Sequence, residues 1–87
     1  MPPYKIQFVR EVVEEQIPAI PMPYKAQIQR AIEERLSVEP IRLGKPLQYA
    51  LAGYRRLRVG DWRVIYKVEG TMLRIVKIAN RRDAYDE

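Results

Sequence analysis

From Gly53 onward the chain of 87 residues reads as three β segments parted by two glycine turns, and nothing else in the sequence limits the fold as strongly. The runs Tyr54 to Val59, Trp62 to Glu69 and Met72 to Ala79 are rich in Val, Ile, Tyr and Trp, which suit a pleated, half-buried surface. Gly60-Asp61 and Gly70-Thr71 separate them, and glycine accepts the positive φ that tight hairpin turns require. A three-stranded antiparallel meander is expected. Upstream, Tyr4, Ile6 and Phe8 alternate with Lys5 and Gln7, which predicts a further strand over about Tyr4 to Val9.

Between these β regions the period changes. Val9, Val12, Val13 and Ile17 share one helical face, predicting a short helix that ends before Pro18. The segment Ile17-Pro18-Ala19-Ile20-Pro21-Met22-Pro23 holds three prolines and reads as a stiff connector. Tyr24, Ile28, Ala31, Ile32 and Leu36 then mark a longer amphipathic helix that stops before Pro40. Ile41 to Leu51 contains the turn signal Gly44-Lys45-Pro46 and reads as a loop with one helical turn around Leu47 to Leu51. The expectation is one α+β domain over residues 1–87, ordered β-α-α-β-β-β, with two helices packed on one face of a four-stranded, mainly antiparallel sheet.

Composition narrows the chemistry. Cysteine and histidine are both absent, which removes thiol nucleophiles, disulfides, Cys- or His-ligated metals and histidine acid–base catalysis. The pairs Glu14-Glu15 and Glu33-Glu34 fall on helix exteriors and diverge by roughly 100° around the axis, so neither converges on a metal. No metal or other cofactor is expected. No apolar run approaches the ~18 residues of a membrane span, and Met1-Pro2-Pro3-Tyr4-Lys5 lacks a signal-peptide core, so a cytoplasmic location is expected.

Charge is uneven. Residues 1–40 carry five basic and six acidic side chains, whereas residues 41–87 carry eleven basic and five acidic. In the Trp62 strand, Trp62, Val64, Tyr66 and Val68 form an apolar face for the helices and leave Arg63, Ile65, Lys67 and Glu69 on the other. If Leu57 and Val59 also face the helices, Arg56 and Arg58 join Arg63 and Lys67 on the open face, and Arg81 and Arg82 extend the patch. Like charges this close repel, and an anionic partner accounts for them better than stability does. Trp62 and Tyr66 read as core aromatics, whereas Tyr85 sits in a polar tail where packing explains it less well.

The run Leu57-Arg58-Val59-Gly60-Asp61-Trp62-Arg63-Val64-Ile65-Tyr66 resembles the LRVGDYRVIY stretch of the RelE/ParE superfamily of bacterial type II toxin–antitoxin toxins. Asn80-Arg81-Arg82-Asp83-Ala84-Tyr85 resembles that family's HRRDVY ending, with Asn80 in place of the frequent histidine. Gly44-Lys45-Pro46-Leu47 and Gly53-Tyr54-Arg55-Arg56 fit as well. The resemblance implies a RelE-like fold and, in RelE members, ribosome-dependent cleavage of mRNA by attack of the ribose 2′-hydroxyl on the adjacent phosphate, without a metal. By matching positions it implies Arg56, Arg63, Arg81 and Tyr85 as the catalytic set, with Lys45, Arg55, Arg58 and Arg82 as RNA backbone contacts. Its partners would be mRNA, the ribosome and a cognate antitoxin. Two other readings stay open: a ParE-like inhibitor of DNA gyrase, and a non-catalytic module that binds RNA or a protein partner.

Overall fold

Both glycine turns close hairpins, with Gly60 at φ +62° and Gly70 at φ +61°. The computed structural model describes residues 4–81. Strands β3 (Arg55–Val59), β4 (Trp62–Glu69) and β5 (Met72–Asn80) form the expected antiparallel meander. Strand β1 (Lys5–Phe8) lies parallel to β5, from Lys5 opposite Met72 to Phe8 opposite Ile75. Parallel neighbours need a long crossover, and the helices lie within it.

The first helix, α1 (Val12–Gln16), is wound wide, with the Ile17 N–H donating to the Val12 carbonyl five residues back. A 3₁₀ turn over Ile17–Ala19 follows and contains Pro18. Helix α2 starts at Met22 with Pro23 in its first turn, where a missing N–H costs nothing. It runs through Met22–Arg30 and, without a break, Ala31–Leu36 in the same wide winding. At its end the Ser37 hydroxyl donates to the Glu33 carbonyl (2.6 Å), and the Ser37 carbonyl accepts the Tyr4 N–H (2.8 Å). The buried end of α2 thereby holds the start of β1.

Two elements depart from the expected order. A single helical turn, α3 (Pro40–Leu43), and a two-residue strand, β2 (Lys45–Pro46), occupy the segment read as a loop. Strand β2 pairs antiparallel with β3, so the sheet has five strands, not four, in the order β1-β5-β4-β3-β2. The 3₁₀ turn expected near Leu47 to Leu51 is present at Tyr49–Leu51.

Val12, Ile20, Ile28, Ile32 and Leu36 from the helical side pack on Leu57, Val64, Tyr66, Leu73, Ile75 and Ile78 from the sheet. Burial of each such side chain stabilises by about 1.5–3 kcal/mol. Tyr66 is fully buried, whereas Trp62 is half-buried at the sheet's end with its ring 6.2 Å from that of Tyr24. Between Ile65 and Tyr66 the β4–β5 register slips, leaving Val76 as the extra residue of a bulge. Beyond the end of β1 the Gln16 side chain continues the ladder, its Oε1 accepting the Ile78 N–H at 2.6 Å.

Candidate functional site

The helices cover one face of the sheet, and the pairing register determines which side chains reach the other. Directly opposed residues share a face, so Lys45 joins Arg56, Arg56 joins Ile65, and Arg58 joins Arg63. Across β4–β5, Ile65 lies opposite Lys77 and Lys67 opposite Arg74. The face turned away from the helices therefore carries Lys45, Arg56, Arg58, Arg63, Lys67, Arg74 and Lys77 on four adjacent strands. Glu69 is the one acidic residue of β3 to β5, and it sits at the far end with Arg74 (3.2 Å) and Lys67 (3.8 Å). The Lys67 ammonium also lies 5.5 Å from the Tyr54 ring centroid. In the middle, Ile65 is only 5% exposed despite facing away from the helices. In the register its neighbours are the long side chains of Arg56 and Lys77.

The Arg58–Arg63 pair tells most about this face. Arg58 and Arg63 stand opposite each other in the β3–β4 register, so their side chains leave the same face of the sheet. Arg58 is exposed and Arg63 half-buried.

A latch at the sheet edge places Lys45 in this array. The Arg55 side chain lies on the helix side, where its Nη2 donates to the Gly44 carbonyl (2.7 Å) and, in a still shorter contact, to the Ile41 carbonyl. The Tyr66 hydroxyl donates to the Pro40 carbonyl at 2.5 Å. The Pro40 and Ile41 carbonyls of α3 and the Gly44 carbonyl just before β2 are thus tied to β3 and β4, and β2 emerges with Lys45 opposite Arg56.

Burial pushes the Tyr66 phenol above its ordinary value of 10.0, while the Arg55 guanidinium and the Gly44 backbone pull it the other way. As pH rises the unfolded phenol ionises first, so the native state binds more protons between the two values and loses stability there. Stability contributed by Tyr66 is complete below about pH 10 and is lost as pH climbs towards the folded value. Tyr66→Phe should cost about 1–3 kcal/mol at neutral pH by leaving the Pro40 carbonyl without its donor. Urea unfolding at about pH 8 and about pH 11 should then show a larger loss in the wild type than in Tyr66→Phe. Equal losses would show that this phenol does not titrate on unfolding.

The structure brings four of the eight site residues expected from the sequence onto or beside one surface: Lys45, Arg56, Arg58 and Arg63. Arg81 is exposed one residue beyond β5, and its N–H donates to the Asp61 carbonyl (2.7 Å), which fastens it to the β3–β4 turn beside Arg63. Arg55 stands apart on the helix side, with Nη2 engaged by protein carbonyls. Arg82 and Tyr85 lie outside the described residues. Lys77 is an addition that alternation in the last strand could have supplied, whereas alternation does place Tyr54 on the face of Arg56 and Arg58, where its ring meets Lys67.

Comparison with known proteins agrees with the fold. The toxin chain in the RelBE2 toxin–antitoxin complex of Mycobacterium tuberculosis superposes with a TM-score of 0.85 at 29% identity, over 92% of this chain and 100% of that one. RelE in the RelB–RelE complex of Methanococcus jannaschii shares the fold at a TM-score of 0.72 and 24% identity, over 92% of this chain and 95% of that one. Toxin RelG of M. tuberculosis is 42% identical over 52 residues, 58% of this chain; the match spans 60% of that relative's length. The architecture is that of a RelE-like toxin. Residues 9–85 match the family described as the ParE toxin of type II toxin–antitoxin systems, and the chain belongs to that family.

Proposed function

We propose that this toxin is a ribosome-dependent endoribonuclease that cuts mRNA and thereby halts translation. The observation that carries the reading is that the register sets Lys45, Arg56, Arg58 and Arg63, from three adjacent strands, on the sheet face turned away from the helices. In the reaction, the ribose O2′ forms a bond to the adjacent phosphorus and the P–O5′ bond breaks. The O2′ proton leaves and the departing O5′ gains one, giving a 2′,3′-cyclic phosphate and a 5′-hydroxyl. Negative charge accumulates on the phosphorane oxygens, where fixed guanidinium donors stabilise it more than in the ground state. Arg56, Arg63 and Arg81 take that role, and Lys45, Arg58 and Arg82 hold flanking phosphates. Arginine hardly ever releases its proton, so Tyr85 is assigned to proton transfer or to stacking on a base. Arg55 acts through the latch, as a positioning residue for Lys45.

An antitoxin partner belongs to the same proposal. Its acidic or amphipathic segment would mask the cationic face and the helices. On the helical side, a groove of about 230 Å³ lined by Ile6, Phe8, Ile17, Ile28 and Ile32 suits an apolar helix face.

Purified chain should cut a transcript only when ribosomes are translating it, which primer extension would show as ends within codons. The family's ParE description supports a second reading, inhibition of DNA gyrase without cleavage. Inducing the chain in bacteria separates the two: translation stops under the first, and DNA damage appears with intact transcripts under the second.

A further inference from the structure

Tyr49 is the most exposed large apolar side chain in the structure, at 91%. It also has φ +59°, the one non-glycine residue among those described with a positive φ. A left-handed conformation costs an L-residue with a Cβ roughly 1–2 kcal/mol, and glycine would remove that cost. Neither the exposure nor the backbone is explained by packing. The loop is nonetheless well tied. The Leu47 N–H donates to the Tyr54 carbonyl (2.9 Å), Leu51 to Gln48 (3.1 Å), Ala52 to Tyr49 (3.0 Å) and Tyr54 to Leu51 (3.0 Å). These bonds hold the ring outward on a defined turn.

Its position gives the ring a use. The loop leaves β2 after Pro46 and returns at Tyr54, whose ring lies against Lys67. Tyr49 follows Lys45 by four residues, so the two Cα atoms are at most about 14 Å apart. Bases of a single strand whose phosphates lie on Lys45 and Arg56 need an aromatic surface to stack on, and the exposed Tyr49 ring is within one loop's reach of Lys45. We propose that Tyr49 is a stacking platform for a base of single-stranded RNA held on the cationic face. This rests on the reading of the chain as an RNA-cutting toxin, and adds a base-contacting residue to a site otherwise built for phosphates.

Tyr49→Gly separates this role from a structural one, because it relieves the backbone while deleting the ring. Its melting temperature should equal or exceed that of the wild type. Its affinity for a fluorescein-labelled single-stranded RNA oligomer, read by anisotropy, should fall about tenfold or more. Against an abasic ribose-phosphate oligomer of the same length the two proteins should bind equally, since no base remains to stack. Tyr49→Trp should restore binding to the RNA oligomer. Wild-type cleavage of ribosome-bound transcripts, run in parallel, tests the underlying reading. If the wild type cuts and Tyr49→Gly binds RNA as tightly, the stacking role is wrong while the ribonuclease reading survives. If the wild type neither cuts nor binds RNA, both fall. Loss of binding to a partner protein with RNA affinity intact also overturns the stacking assignment.

Discussion

Replacing Gly44 with alanine is expected to cost on the order of 3–5 kcal/mol, most of the stability of a domain this small. The reason is contact rather than backbone freedom, since Gly44 has an ordinary φ of −86°. A Cβ at this position would stand 1.8 Å from the Tyr66 hydroxyl oxygen and 2.7 Å from the carbon that bears it. Tyr66 is fully buried among core residues and cannot swing aside. Either the ring leaves its site, opening a cavity in the core, or the turn from α3 into β2 lifts off the sheet and the carbonyls of Pro40, Ile41 and Gly44 lose their donors. Thermal unfolding followed by circular dichroism measures the loss. Combining Gly44→Ala with Tyr66→Phe should recover part of it, because the closest clash disappears while the ring carbon remains. Gly70→Ala is the contrast: no atom lies within 4 Å of its Cβ, and the cost there is the ~1–2 kcal/mol of a left-handed residue. A Gly44→Ala protein melting near the wild-type temperature would show that the latch does not carry the edge strand.

The same latch explains which parts of the fold the sequence discloses. Strands β3 to β5 are legible because alternation and the glycine turns at Gly60 and Gly70 are local signals. Strand β2 and helix α3 are not, because what holds Pro40 to Pro46 against the sheet is Arg55 and Tyr66, distant in sequence. Taken alone, alternation already put Arg55 on the side of Leu57, whereas the resemblance marks it as an RNA contact. Its partners there, backbone carbonyls of the α3–β2 turn, are invisible until the chain is folded. The bulge at Val76 is equally hidden, yet it restores Ile75 and Leu73 to the core after Ile78. The cationic face itself is legible, since a period of two needs only the identity of one buried face. Tyr49 escaped notice because nothing in its neighbours predicts a positive φ at tyrosine.

Arg63→Ala is expected to lower the rate of transcript cleavage by about 10²–10³-fold, the loss typical when one preorganised donor to a developing oxyanion is removed. Folding should survive. Arg63 faces away from the helices, opposite Arg58, and is not part of the hydrophobic core, so its truncation opens no core cavity. Arg63→Lys keeps the charge but not the planar pair of donors, so it should bind RNA nearly as well as wild type while still cutting slowly. That split between binding and turnover distinguishes stabilisation of the phosphorane from simple attraction of a polyanion. Arg74 supplies the control. It shares the face but pairs with Glu69 at the far end, and Arg74→Ala should leave cleavage within about twofold, as expected of an exposed ion pair. Cleavage rates on ribosome-bound transcripts, with urea midpoints for each variant, provide the comparison. If Arg63→Ala and Arg74→Ala cut equally fast, the face attracts its partner through charge alone, and the chemistry must be sought elsewhere on the molecule.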